Sequence, residues 1–190
     1  MTTLYMIAGL PGSGKSTLSG LLAYKLQDTN VKVLSSDDLR REYGADPTNF
    51  QTSKHIFGVM DSITGLCLHL EQSVILDATF LTYSGRSGFY DRAIENDAKT
   101  CVLYVDTPIN ECVDRQRLRG PEERVPAEQI EQMAESFDPI HFDGLKIGEY
   151  NNVLAETVVK CFYVRTHYAT DKADTTRELT DHLDFLFKST

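Results

Sequence analysis

A short apolar run followed at once by a glycine-rich segment constrains this chain more than any other feature. Residues 4–8 read Leu-Tyr-Met-Ile-Ala, and residues 9–17 read Gly-Leu-Pro-Gly-Ser-Gly-Lys-Ser-Thr. The second segment satisfies the pattern G-x-x-x-x-G-K-[ST] at every fixed position. Leucines at helical spacing follow it, at positions 18, 21, 22 and 26. The sequence therefore predicts a strand, a phosphate-binding loop and a helix in direct succession.

The residue types of this loop suit a polyphosphate and a magnesium ion. Glycines at positions 9, 12 and 14 let the backbone wrap closely around an anion. Lys15 is expected to reach the β- and γ-phosphates, and the Ser16 hydroxyl is expected to ligate Mg²⁺. The predicted cofactors are thus ATP and Mg²⁺. The predicted ATP-binding residues in the loop are Gly12, Ser13, Gly14, Lys15, Ser16 and Thr17. The alternative is a glycine-rich turn with a solvated lysine.

Strand-like and helical segments alternate along the chain, which favours an α/β fold with a parallel sheet flanked by helices. Further strands are predicted at 31–34, 73–76, 101–105 and 158–164, giving a five-stranded sheet. Helices are predicted at 38–43, 53–71 and 109–119, after residue 126, and near the C-terminus. We expect one P-loop kinase domain over 1–190, with a lid at about 115–126 and a C-terminal strand and helix at about 158–188. The predicted buried stripe of the helix at 53–71 is Ile56, Val59, Met60, Ile63, Leu66, Cys67 and Leu70.

Composition excludes several classes of protein. The 190 residues carry a formal net charge of −9, which disfavours nonspecific nucleic-acid binding as the main function. Neither a membrane span nor a secretory signal is evident, so we expect a cytoplasmic protein, in the host cytoplasm if it is viral. The four cysteines and five histidines lack metal-binding spacing.

Two acidic residues stand directly after the second predicted strand. In a parallel sheet the carboxyl ends of neighbouring strands meet at one crevice, so Asp37 is predicted to face the γ-phosphate as a general base. The alternative is that an aspartate here only caps the next helix. We assign the catalytic role to Asp37, and to Asp38 the helix cap or a supporting contact with the acceptor. Arg40 is predicted to hold a phosphate of the acceptor, or else to be solvated.

The third strand and the predicted lid supply the remaining candidates. Asp77 ends the strand at 73–76 and is either a ligand of Mg²⁺ or the start of a turn. Arg115 and Arg119 are expected on one face of a helix, with Arg115 binding ATP and Arg119 neutralising charge that develops in the transition state. Arg117 is expected to be solvated, and Arg124 to be neutralised by the glutamates at 122 and 123.

Taken together, these motifs resemble those of polynucleotide 5′-hydroxyl kinases, such as the kinase domain of the phage enzymes, and of related zeta-toxin-like kinases. The resemblance spans about residues 4–140. It rests on the P-loop at 9–17, Asp37-Asp38-x-Arg40, Ile75-x-Asp77-Ala78-Thr79, and Arg115-x-x-x-Arg119-Gly120 followed by Val125-Pro126. It implies ATP and Mg²⁺ at Lys15 and Ser16, Asp37 as general base, Arg40 on an acceptor phosphate, and Arg115 and Arg119 as nucleotide and transition-state contacts.

Two departures from that pattern bear on the acceptor. Phe80 stands where many relatives have asparagine, and the C-terminal residues lack the D-x-D-x-T phosphatase motif. The predicted function is an ATP-dependent kinase acting on a hydroxyl of a nucleic acid (a 5′-hydroxyl end or a hydroxymethylated base of DNA) or of a nucleotide. The alternatives are a small-molecule hydroxyl kinase of the same fold, acting on a metabolite, sugar or antibiotic, and an ATP-gated binding module.

Overall fold

The computed structural model describes residues 2–44, 50–121 and 123–140, and the backbone of 158–165; the side chains at 50 and 51 are not described. The strands are β1 (Thr3–Gly9), β2 (Val31–Ser35), β3 (Ser73–Asp77), β4 (Lys99–Asp106) and β5 (Val158–Arg165). The helices are α1 (Lys15–Lys25), α2 (Ser36–Glu42), α3 (Phe50–His69), α4 (Tyr83–Glu95), α5 (Ile109–Arg117) and α6 (Ala127–Glu135). None of the helices in these ranges combines the length and apolar character needed to span a bilayer.

The sheet is parallel throughout, with the strand order β2-β3-β1-β4-β5. This confirms the predicted parallel sheet flanked by helices. Four strands are described with their side chains, and β5 only by its backbone pairing with β4. The strand β1 is central, between β3 and β4, so its carboxyl end lies beside the ends of both neighbours. The predicted C-terminal helix lies outside the described residues.

The core lies on both faces of this sheet. Leu4 and Met6 of β1 belong to the cluster that also contains residues of α3, α4 and α6, whereas Ile7 packs with Leu18 and Leu22 of α1. Successive residues of a strand point to opposite faces, and burial on both faces is typical of a central parallel strand. The helices on both sides therefore hold the carboxyl end of β1 in place.

Several element ends differ from the sequence predictions. The helix α3 begins at Phe50 and ends at His69, and two leucines predicted on its buried stripe are mainly exposed: Leu66 at 59% and Leu70 at 64%. The predicted stripe lies on the correct side of α3 but includes too many residues, because the sheet and α4 cover a narrower face of the helix than the apolar residues occupy. Similarly, α5 ends at Arg117 rather than at Arg119.

A buried arginine organises the loop between β3 and α4. Arg86 is 2% exposed, and its guanidinium donates to the carbonyl oxygens of Phe80 (2.8 Å), Leu81 (2.9 Å) and Asp138 (2.9 Å). Phe80 adopts a left-handed φ of 45° while its ring packs edge-to-face on Phe89, 5.3 Å between ring centroids. Because Asp138 follows α6, Arg86 ties the end of that helix to the loop beyond β3.

We predict that Arg86→Met lowers the free energy of unfolding by about 2–4 kcal/mol, because three buried carbonyls lose a charged donor. Urea unfolding followed by circular dichroism measures this loss. The matched control is Arg117→Met, which removes an exposed arginine paired with Asp114 on α5 and should barely move the midpoint. Equal midpoints for the two variants would contradict this role of Arg86.

Candidate active site

The glycine-rich loop joins β1 to α1 as predicted, and two of its glycines occupy conformations that exclude other residues. Gly14 caps α1 with a φ of 108°, and Gly12 has a φ of 86°. A Cβ at Gly12 would lie 2.5 Å from the carbonyl oxygen of Cys112, which is closer than atoms can approach. Gly12 is therefore required both by its backbone angle and by the close packing of the loop against α5.

The N-terminus of α1 presents a positive electrostatic end to the loop. No side chain caps this helix, and its first turn contains no acidic residue among the described positions. The partial positive charge of a helix N-terminus and its unsatisfied N–H groups favour an anion there. The loop and helix together are thus suited to hold a phosphate.

Lys15 lies at the centre of the charged groups of this site. Its ammonium donates to the carbonyl oxygen of Leu10 at 2.8 Å. Burial lowers the pKa of Lys15, the carboxylates of Asp77 and Asp37 act to raise it, and Arg119 acts to lower it further. Lys15 thus lies near Asp77 at the end of β3, Asp37 in the first turn of α2, and Arg119 of the lid.

Ser16 and Asp77 are brought together as the predicted metal ligands. Asp77 is 5% exposed at the end of β3. Burial raises the pKa of its carboxyl, while Lys15 and a hydrogen bond with Ser16 lower it. A hydroxyl and a carboxylate are the hard oxygen donors that Mg²⁺ prefers, and this ion usually keeps several waters and binds substrate phosphates. This pair of donors fits such an ion.

The residues after β2 form the first turn of α2 and carry two exposed carboxylates. Asp37 accepts a hydrogen bond from Arg40 at 2.8 Å, and Asp38 pairs with Arg41. The prediction that Asp38 caps this helix is wrong: the cap is Ser35, whose hydroxyl accepts from the Asp38 N–H at 3.3 Å. The helix begins at Ser36, directly after β2 and earlier than predicted, so both aspartates lie inside it, where acidic side chains favour its N-terminus.

The lid arginines do not share one helix face, because α5 ends at Arg117. Arg119 follows the helix, is exposed, and acts on Lys15. Arg115 lies on α5 and donates to the backbone of the phosphate loop, at 3.3 Å to the Gly12 carbonyl and 3.2 Å to that of Ser13. The two arginines of the R-x-x-x-R motif thus have different surroundings.

Two further residues shape the lid, and sequence reasoning missed both roles. Arg124 donates to the carbonyl oxygens of Arg117 (2.8 Å) and Arg119 (3.0 Å), contacts that the sequence prediction for this residue did not include. Gln116 is buried, and its amide oxygen accepts from the N–H of Val125 at 3.1 Å. No sequence signal marks Gln116, although Arg124 stands where a cation can cap the exposed carbonyls at a helix end.

A contact also joins the lid to the helix that carries Asp37. The guanidinium of Arg41 lies 3.8 Å from the carboxylate of Glu123, and both side chains are exposed. An exposed pair of this kind contributes little stability. It does place the lid next to α2, the helix that carries Asp37 and Arg40.

A family model described as an AAA domain matches residues 4–140. The chain belongs to this AAA-domain family. The matched region contains the phosphate loop, the aspartates of α2, Asp77 at the end of β3, and the lid, and its fold is that of P-loop kinases. The family match is broader than the polynucleotide 5′-hydroxyl kinases that the motifs resemble.

Similar proteins include several kinases. The L-seryl-tRNA(Sec) kinase of Methanococcus maripaludis is 27% identical over 166 residues, which are 80% of this chain and 64% of that protein. This chain thus spans less than two thirds of the length of that relative. The structure of Chaetomium thermophilum Kti12 in complex with ADP-AlF3 has a TM-score of 0.65 at 19% identity, covering 95% of this chain and 97% of that one.

A third similar protein is the APS kinase CysC of Mycobacterium tuberculosis, whose structure is in complex with AMPPNP and APS. It has a TM-score of 0.63 at 17% identity and covers 97% of each chain. At this level of identity both structural comparisons show a common fold.

We predict that Gly12→Ala abolishes nucleotide binding, because the added methyl group collides with the Cys112 carbonyl and opposes the positive φ. Titration calorimetry with ADP measures the loss. Gly20→Ala is the matched control: it changes a glycine of the same helix–loop unit where an added Cβ meets nothing within 4 Å. That variant should bind normally and gain about 0.5–1 kcal/mol of stability from the better helix former. ADP affinity in Gly12→Ala equal to that of the control would contradict this account of the loop.

Proposed function

We propose that this AAA domain is an ATP- and Mg²⁺-dependent kinase that transfers the γ-phosphoryl group to a hydroxyl of a nucleic acid or nucleotide. The observation that carries this proposal is the register of the sheet: Asp77 pairs on one side with Ser35, two residues before Asp37, and on the other side with Ile7 of the strand that leads into the phosphate loop. A carboxylate in the first turn of α2 and a carboxylate at the end of β3 thus lie beside the phosphate loop. One is buried and bonded to Ser16, as suits a metal ligand, and the other is exposed, as suits a base that meets an incoming substrate.

The proposed reaction is an in-line displacement. The acceptor oxygen forms a bond to the γ-phosphorus, the bond from that phosphorus to the β–γ bridging oxygen breaks, and ADP leaves. Asp37 accepts the proton of the attacking hydroxyl. Lys15 and Arg119 offset the charge on the transferred group. Mg²⁺ held at Ser16 and Asp77 would neutralise charge on the β- and γ-phosphate oxygens.

The pairing of Asp37 with Arg40 supports an acceptor that is itself charged. Arg40 lies one turn further along α2, and its side chain is 19% exposed. A guanidinium fixed beside the base can bind a phosphate of the acceptor while it orients the carboxylate. This supports a nucleotide or a nucleic-acid end, and the relative that acts on seryl-tRNA(Sec) shows that a kinase with a similar sequence uses such a substrate.

A small-molecule acceptor is the second candidate, and the net charge of −9 favours it. A long polynucleotide would meet repulsion from most of an acidic surface, whereas a small anion would meet only the arginines near the site. The APS kinase with a similar fold was crystallised with a small anionic molecule of this kind. An ATP-gated binding module, in contrast, needs no base such as Asp37 facing an alcohol.

An acceptor panel with γ-labelled ATP tests these possibilities. It contains DNA and RNA oligonucleotides with 5′-hydroxyl ends, DNA with hydroxymethylated bases, seryl-tRNA, nucleosides and sugars. We expect label on a nucleic-acid or nucleotide acceptor. Label confined to sugars or other metabolites would establish the second candidate. Label released only as inorganic phosphate would overturn the kinase proposal in favour of an ATPase.

We predict that Asp37→Asn lowers phosphotransfer by about 10²–10⁴-fold, because the acceptor hydroxyl loses its general base. The Kd for ATP should stay within a few fold. Asp114→Asn is the matched control, since Asp114 forms the same i,i+3 pair with an arginine on a surface helix. Steady-state rates and calorimetry check both effects. Transfer by Asp37→Asn at the rate of the control would rule out the assigned base.

We predict that Arg119→Ala lowers kcat by about 10³-fold, as removal of an arginine that acts in cis on the transferred phosphoryl group commonly does. Arg117→Ala removes a neighbouring arginine that is exposed and paired with Asp114, and it should keep its rate. Single-turnover kinetics with saturating ATP separate this effect from nucleotide affinity. A rate for Arg119→Ala within a few fold of that for Arg117→Ala would remove the lid from the mechanism.

A further inference from the structure

A cluster of side chains behind the phosphate loop contacts its backbone from the side of β4 and α5. The carbonyl oxygen of Ser13 accepts two hydrogen bonds, one from the Thr107 hydroxyl at 2.8 Å and one from the Arg115 guanidinium at 3.2 Å. Thr107 follows β4 and is 5% exposed. Both donors come from segments far along the chain, so the loop is supported by tertiary contacts as well as by its own glycines.

The guanidinium of Arg115 also contacts two other groups of the protein itself. Its guanidinium donates to the Gly12 carbonyl at 3.3 Å and forms an ion pair with Glu111 at 3.3 Å, one turn earlier on α5. The side chain of Glu111 is only 14% exposed. The carboxylate thus holds the guanidinium against two loop carbonyls, and the planar fork of arginine suits several such acceptors.

Fixing these carbonyls determines where one of the loop's N–H groups points. In a trans peptide the C=O and N–H bonds point in opposite directions. The peptide that carries the Ser13 carbonyl also carries the Gly14 N–H, so this N–H is directed away from Thr107 and Arg115. Rotation of the peptide would instead bring a carbonyl, with partial negative charge, toward a bound phosphate.

We infer that Thr107 and Arg115 are positioning residues of the phosphate loop, which orient the Gly14 N–H toward the β-phosphate by holding the Ser13 carbonyl on the opposite side. Arg115 then acts through the backbone, in contrast to the direct ATP contact that the sequence predicts for it. The close fit of Gly12 against the Cys112 carbonyl supports this inference, because it shows that α5 forms the wall behind the loop. This inference rests on one part of the proposed function, that the loop binds a nucleotide, and does not require phosphate transfer.

The two roles of Arg115 predict different responses to ADP and ATP. The loop holds the β-phosphate, which both nucleotides carry, so loss of loop support should weaken both equally. We expect Thr107→Val to weaken ADP and ATP about 3–10-fold each, the equivalent of one hydrogen bond. Arg115→Met should weaken both by a larger and again equal factor. A loss by Arg115→Met that is selective for ATP would indicate contact with the γ-phosphate and would overturn the inference.

A double variant tests whether the two residues act on the same carbonyl. Residues that share one partner are not additive, so the combined loss in Thr107→Val with Arg115→Met should be smaller than the product of the single losses. A combined loss equal to that product, or single variants with normal affinity, would overturn the inference. Arg117→Met on the same helix is the matched control and should bind both nucleotides normally.

Folding is checked separately by the amide signals of protein labelled with 15N-glycine. In Thr107→Val without nucleotide, we expect the Gly14 amide to shift while glycines remote from the loop, such as Gly58 and Gly88, keep their signals. Unchanged Gly14 signals would overturn the inference, as would equal shifts at all glycines. These measurements use only nucleotide binding or the free protein, so they do not depend on phosphate transfer. If the protein transferred phosphate to no acceptor, the kinase proposal would be refuted, but the inference about Thr107 and Arg115 would still be tested.

Discussion

The binding of a polyphosphate by backbone N–H groups is the constraint on which the rest of this structure depends. Such a loop must curve tightly and direct its carbonyl groups away from the phosphate. Neither a high glycine content nor a following helix N-terminus is enough to fix this orientation. Here the loop is held on several sides: β1 fixes where it begins, Gly14 starts α1 with a left-handed φ, and Gly12 packs against the Cys112 carbonyl of α5. The parallel sheet follows from the same requirement, because it brings the ends of β2, β3 and β4 to the strand end that carries the loop.

The two carboxylates near Lys15 differ mainly in how deeply they are buried. Asp77 ends a strand buried on both faces, so water is removed from its carboxyl and its pKa rises, against the effects of Lys15 and Ser16. Asp37 ends no strand; it lies in the first turn of a short helix at the sheet edge and is largely exposed. A buried carboxylate bonded to a hydroxyl is suited to a metal that stays in place. An exposed carboxylate paired with an arginine is suited to a substrate that binds and leaves, which is the division proposed for this site.

Sequence reasoning reached the parts of this site that depend on local pattern, and it failed where contacts between distant residues decide. The loop, the strands and the helix faces follow from residue spacing, because strand and helix periods differ and glycine has a distinct conformational range. The cap of α2 was placed at Asp38 although Ser35 provides it, since the end of β2 is set by pairing with β3. Arg86 could not be identified, because nothing in the sequence shows that three carbonyls, one of them at Asp138, would surround it.

The lid illustrates why a motif of charged residues does not by itself assign roles. The lid contains four arginines, at positions 115, 117, 119 and 124, and their surroundings differ. Arg115 is held by Glu111 against loop carbonyls, Arg117 pairs with Asp114 in solvent, and Arg124 caps the end of α5. Arg119 is exposed and acts on Lys15. A guanidinium already committed to backbone carbonyls is poorly placed to follow charge as it develops during transfer, whereas an exposed one on a loop is free to do so. In the proposed mechanism Arg119 is therefore the arginine that offsets charge on the transferred phosphoryl group, although the chain as a whole carries a net charge of −9.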